Sequence, residues 1–167
     1  MDKKKPQLFY PEDDSGKIIL EWWKNLEENR GDRAELRRAD SPTEVVFSPS
    51  YHRLYWKLLS LDQPINREYL ASVVGLCAHV RTHNAEAGLA EQMARGQDKA
   101  SVSGLRFRRL LAINNRDDLY HAMIRIIRLL GKSVNIHKLA LAVYWWNEHT
   151  KKQWAYEYYE HAPAKEK

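Results

Sequence analysis

The chain has 167 residues, of which 44% are apolar and 29% charged, and its net charge is +5. Six Trp, nine Tyr and three Phe can supply a globular core. The single cysteine, Cys77, excludes an intrachain disulfide and a multi-cysteine zinc site, no apolar run reaches the ~20 residues of a membrane span, and Met1–Pro6 leads into no apolar signal segment, so a cytoplasmic protein is expected.

Residues 1–14 are expected to be a disordered tail. Ile18, Ile19, Trp22, Trp23 and Leu26 recur at helical spacing and predict a helix over about 15–28, stopped by Gly31. Adjacent helix residues diverge by about 100°, so one member of Trp22-Trp23 is expected inside and the other at the core edge or under a partner; the same holds for Trp145-Trp146. Asp32 to Glu35 has the capping-box pattern of a short helix through Arg38. Ser41-Pro42-Thr43-Glu44 reads as another helix start, with Pro at the first position. Val45-Val46-Phe47 is β-prone but short. Tyr51, Leu54, Tyr55, Leu58 and Leu59 predict a helix over 50–60. Asn66 is placed to cap a longer one to about Asn84 with Leu70, Val73, Val74, Cys77 and Val80 on its buried side. A short helix near 86–94 follows.

Residues 95–103 are small and polar and read as a connection, with a domain boundary at 96–103 between helical bundles over 15–95 and 104–160. Beyond it, helices are predicted over about 103–113, 116–130 (capped by Asn115, ended by Gly131), 136–147 (capped by Asn135) and 149–160. Residues 161–167 are expected to be a disordered tail. No convincing strand pair is visible. The expected fold class is all-α, two small packed helical bundles.

Charge is unevenly spread. Residues 1–95 hold 14 basic and 15 acidic residues, whereas 96–167 hold 13 and 7. Within 99–138, nine Lys/Arg face two acids. His121, Arg125, Arg128 and Lys132 follow helical spacing and fall within roughly 60° of arc, back to back with Leu119, Met123, Ile126 and Leu130. Arg106 and Arg109 share a face of the preceding helix, and Arg116 and Lys138 extend the basic set. Arginine presents a rigid fork of N–H groups that matches phosphate oxygens, and several such groups on one surface bind nucleic acid without regard to sequence. A solvated helix face is the bland alternative, weakened because only Asp117 and Asp118 lie nearby. Arg30, Arg33, Arg37 and Arg38 form a weaker cluster, for which local ion pairs with Glu28, Asp32, Glu35 and Asp40 are an equal reading.

Catalytic signals are thin. His79, His83 and Glu86 have the spacing of a helical metal site, yet a histidine pair without metal is the stronger reading. Cys77 sits among apolar residues that raise its pKa, and Ser101 and Ser103 lack an elbow motif. Asp117-Asp118 suits a helix N-terminus.

The order of several segments carries a resemblance. Ile19 to Leu26 (Ile-Leu-Glu-Trp-Trp-Lys-Asn-Leu), Arg33 to Ala39 (Arg-Ala-Glu-Leu-Arg-Arg-Ala), Ser41 to Glu44, Tyr51-His-Arg-Leu54 and Leu141 to Trp146 (Leu-Ala-Val-Tyr-Trp-Trp) together resemble the small subunit of the type I-E CRISPR surveillance complex, the CasB family of Cascade. The resemblance implies a non-enzymatic all-α protein without cofactors, paired head to tail with a second copy. It would bind other Cascade subunits (backbone and large), guide RNA, and the target and displaced DNA strands, stabilising the R-loop. Position by position, Arg38 matches the second Arg of the family's Leu-Arg-Arg segment. Arg106 and Arg116 match the arginines flanking the first basic helix, and Arg128 the Arg before a Leu-Leu pair. Asn147-Glu148-His149 departs from a more basic run, which Lys151 and Lys152 would replace. The expected nucleic-acid-binding set is Arg38, Arg106, Arg109, Arg116, Arg125, Arg128 and Lys132. A stand-alone helical DNA/RNA-binding protein, or a metal-dependent enzyme using His79, His83 and Glu86, are the alternatives.

Overall fold

Small polar side chains open most of the helices in the computed structural model, which describes residues 8–167. The ten helices are α1 (Asp14–Asn25), α2 (Arg30–Arg38), α3 (Pro42–Val45), α4 (Pro49–Leu59), α5 (Arg67–Cys77), α6 (Leu89–Ala94), α7 (Gly104–Leu111), α8 (Arg116–Leu129), α9 (Ile136–Tyr144) and α10 (Glu148–His161). Asn66, Asn115 and Asn135 each accept a backbone N–H through the side chain at the helix start, as expected, and Ser41 accepts from Glu44. Ser48, Ser103 and Asn147 do the same for α4, α7 and α10. Each cap satisfies a donor that the first turn otherwise leaves unpaired, worth about 1 kcal/mol.

The all-α class holds, with one addition. Thr82–His83 (β1) and Ser133–Val134 (β2) form a parallel pair that the sequence does not announce. The helix expected over 66–84 ends at Cys77. The carbonyls just beyond its end are drawn into other contacts. Val80 O accepts from Trp23 Nε1 (3.1 Å) and from Arg33 Nη2 (2.5 Å), and Ala78 O from Arg33 Nε (3.4 Å). A buried arginine thus replaces the next helical turn as the partner of these carbonyls.

α5 is the central element: all of Leu70–Cys77 is buried, and it packs against α9, α3, α8, α2 and α4. α6 packs against α10. The buried side chains form one continuous cluster with members on both sides of residues 96–103. Trp22 and Trp23 are both inside, against the expectation for an adjacent pair. α1 lies in a groove with walls on two sides, where Trp22 Nε1 reaches Ser50 O (3.1 Å) while Trp23 reaches Val80 O. Trp145 and Trp146 do divide: Trp145 is exposed, and Trp146 Nε1 donates to Ile113 O (2.8 Å). Cys77 is free and buried, with its thiol pKa pushed up to about 12 by burial.

The two expected tails need correction where they are described. Leu8 and Phe9 belong to the core, and Phe9 N–H donates to Ser15 Oγ (2.9 Å); residues 1–7 lie outside the described residues. At the other end a 3-10 turn covers Ala164–Glu166, and Glu166 Oε2 accepts from Gly104 N–H (2.6 Å). This carboxylate meets the positive start of α7. Asp32 is an interior residue of α2, which begins after Asn29, so it does not cap that helix.

Candidate nucleic-acid interface

Two consecutive hydrogen bonds set how the basic face of α8 meets α2. Tyr120 OH donates to Ala39 O (3.2 Å) and His121 Nε2 donates to Asp40 O (2.6 Å). They clamp the first turns of α8 to the chain leaving α2. The later turns then bring Arg128 to the hollow that Arg37 and Arg38 line.

Lys132 is not on the α8 helix, as the 121–132 spacing implies, but beyond it. Gly131 N–H donates to Arg128 O (3.0 Å) and Lys132 N–H to Ile127 O (2.9 Å), the paired bonds of a Schellman turn. Gly131 takes φ +69°, which glycine adopts freely, and Lys132 takes φ +60°, which it does not. The Lys132 carbonyl is fixed in turn by the N–H groups of Arg81 (2.8 Å) and Thr82 (3.1 Å). Lys132 reaches the same face as Arg128 through this turn rather than through helical periodicity.

Three adjoining hollows result. One of about 280 Å³ is lined by Ala34, Arg37, Arg38, His79, Arg128 and Lys132. A second, of about 520 Å³, shares Arg128 and adds Arg106, Arg109 and Arg125 over an apolar floor that includes Leu110 and Ile126. A third, of about 760 Å³, shares Arg37 and adds Arg30, Arg33, Arg81 and Glu27. Arg37 and Arg128 are thus the joints of a single cationic track. The ion pairs found among the described residues are Arg53–Asp32, Arg95–Glu91 and His161–Glu91, and none of them neutralises a residue lining the track. Asp32, a candidate counter-ion for the α2 arginines, is held at 2.5 Å by Arg53 of α4.

Residues 32–159 match the family model for CRISPR-associated protein Cse2. The chain belongs to the Cse2 family. No curated protein sequence matches the chain. Solved structures with the same fold include CasB from Thermus thermophilus, at 23% identity and TM-score 0.65, covering 87% of this chain and 97% of that one. Another Thermus thermophilus structure, of a CRISPR-associated protein of the Cse2 family, is 24% identical, with TM-score 0.64 and the same two coverages, 87% and 97%. A chain of the E. coli Cascade structure bound to a PAM-containing double-stranded DNA target is 17% identical, with TM-score 0.65, covering 89% of this chain and 95% of that one.

In this Cse2-family chain, Arg38, Arg106, Arg109, Arg125, Arg128 and Lys132 are brought together along the track. Arg116 is not. Its guanidinium is half-buried, donates to the carbonyls of Val143 and Tyr144, and stacks on Tyr69. Burial lowers its pKa, offset in part by Tyr69. Lys138 lines a separate groove with Leu141 and Trp145. Lys151 Nζ is held by Asn114 Oδ1 (2.6 Å), while Lys152 is exposed.

Arg37, Arg81 and His79 are absent from the expected set. Arg37 was legible: Arg30, Arg33 and Arg37 share a face of α2 by their i, i+3, i+7 spacing. Arg81 and His79 follow the unforeseen end of α5; Arg81 carried no signal of its own, and the spacing of His79 pointed to a metal site instead. The single-helix spacing behind the metal-site alternative is not realised, for the same reason. His79 and His83 are not on one helix, and His83 Nδ1 accepts from Ile136 N–H (3.0 Å). Among the described residues no group of three or more His, Cys, Asp or Glu is arranged to hold a metal ion. Among the same residues, no helix is long and apolar enough to cross a membrane.

Proposed function

We propose that the chain is a non-catalytic, cytoplasmic subunit of a CRISPR RNA-guided Cascade complex that holds nucleic-acid backbone along the track from α2 across α8 to α7. It contacts guide RNA and DNA strands, docks on a second copy and on other Cascade subunits, and helps keep the R-loop open. The observation that carries this reading is the sharing of Arg37 and Arg128 between hollows, which joins separate arginine clusters into one path whose three linings include a single acidic residue, Glu27. Membership of the Cse2 family and the fold shared with a chain of a DNA-bound Cascade structure support the assembly. Such a path reads phosphates, and guide-target pairing supplies the sequence specificity. Surveillance complexes assembled with and without this subunit provide the test. Omission should shorten the lifetime of the displaced-strand state on a matched duplex, and an unchanged lifetime would sink the proposal.

A further inference from the structure

Two of the residues that line the smallest hollow each carry a buried nitrogen atom without a hydrogen-bond partner, His79 Nε2 and Arg37 Nε. His79 is only 8% exposed. Arg37 and Arg38 reach it from α2, Arg128 from the last turn of α8, and Lys132 from the turn beyond; no carboxylate lines the hollow. Burial, then Arg128, Arg37 and Lys132, push the His79 pKa down to about 4, so the ring is neutral near pH 7. Cations gathered round unpaired donors oppose folding through both repulsion and lost hydrogen bonds. An anion in the hollow reverses both effects. It would give the four cations a shared counter-charge and offer the two unpaired nitrogens an acceptor once their side chains turn toward it.

We propose that this hollow seats one phosphodiester of a bound nucleic-acid strand, with Arg37, Arg38, Arg128 and Lys132 surrounding it and the His79 ring and Arg37 guanidinium turning so that His79 Nε2 and Arg37 Nε donate to its oxygens. The inference rests on the backbone-holding role proposed above and adds a fixed point at which the strand is registered. A phosphodiester stays anionic across the neutral range, so its arrival raises the His79 pKa. Binding then takes up a proton, and affinity increases as pH falls.

The test uses the full chain with ¹⁵N-labelled histidine. It is titrated in one arm with a single-stranded oligothymidylate of about ten nucleotides and in the other with inorganic phosphate. The oligonucleotide should shift the His79 imidazole resonances. Its affinity should rise about tenfold from about pH 7.5 to about pH 5.5, the change expected if the bound pKa reaches about 6.5. His79→Gln should reduce that rise to about twofold or less. An oligonucleotide that binds with steep salt dependence, yet leaves His79 and the pH response untouched, overturns the seat and leaves the backbone-holding role standing. No oligonucleotide binding at all overturns both. A His79 shift with inorganic phosphate alone would make the hollow a free-anion site and overturn its assignment to a strand. The wild-type resonances decide the matter even if His79→Gln does not fold.

Discussion

Arg116 stacks on Tyr69, with its guanidinium carbon 3.7 Å from the ring centroid. The same group donates to the carbonyls of Val143 and Tyr144, at the negative end of α9. One cation therefore joins the start of α8, the end of α9 and a side chain of α5. Arg116→Ala should lower stability by about 2–4 kcal/mol, because it removes the stacking and leaves two carbonyls without their charged donor. Arg116→Lys should recover only part, since an ammonium cannot fork to two carbonyls while stacking. Urea denaturation measures both. The salt dependence of DNA binding should stay as in wild type, because this arginine is engaged away from the track.

Arg125 and Arg128 make the opposite prediction. Both are exposed and neither has an acidic partner within ion-pair distance among the described residues. Reversing both to Glu should leave the melting temperature within a few degrees while weakening target-DNA retention by the assembled complex at least about tenfold. Replacing both with Ala should reduce the slope of log affinity against log salt by about two. Equal retention by the double-Glu complex and wild type would rule out a role for the track.

Gly75 lies in the middle of α5, where alanine is favoured on helix propensity by about 1 kcal/mol. The structure reverses that preference. A Cβ at this position would stand 2.6 Å from Tyr120 OH and 2.8 Å from Val45 Cγ2. Gly75→Ala should therefore destabilise the protein by about 1–2 kcal/mol net of propensity. A thermal melt above wild type would show that α5 and α8 are less closely packed than this.

The free chain should lose stability on acidification through His79. Its folded pKa, about 4, lies below the ordinary histidine value of 6.5, so the unfolded chain takes up the proton first. The full contribution is present above about pH 6.5 and is lost as pH falls toward 4. The loss amounts to about 2–3 kcal/mol. His83, also held low by burial, adds in the same direction. His79→Gln should flatten the acid limb of stability against pH, as followed by denaturant midpoints from about pH 7.5 to about pH 4.5. An unchanged limb would mean that the histidine ionises freely in the fold.

Much of the helical framework is local chemistry and could be read directly from the chain. Asn66, Asn115 and Asn135 cap their helices because an amide oxygen two or three residues ahead of a free N–H needs no distant partner. Gly131 ends α8 because it enters the left-handed region at little cost. The face shared by Arg125 and Arg128 follows from 3.6 residues per turn. The end of α5 is different. Val80 continues the apolar pattern, so periodicity extends the helix, and only Trp23 and Arg33, far away in the chain, take its carbonyl out of the helical ladder. That departure frees Thr82–His83 to pair with Ser133–Val134 and leaves His79 and Arg81 among the cations. Arg116 and Arg128 look alike in sequence, two arginines on one basic helix. Their roles diverge because Arg116 is met by Tyr69 and the carbonyls that end α9, whereas Arg128 faces Arg37 across open space. Sequence by itself determined where positive charge is dense and how the helices begin. Tertiary structure decided which of those charges are internally satisfied and which remain free, because that depends on partners brought close only by packing.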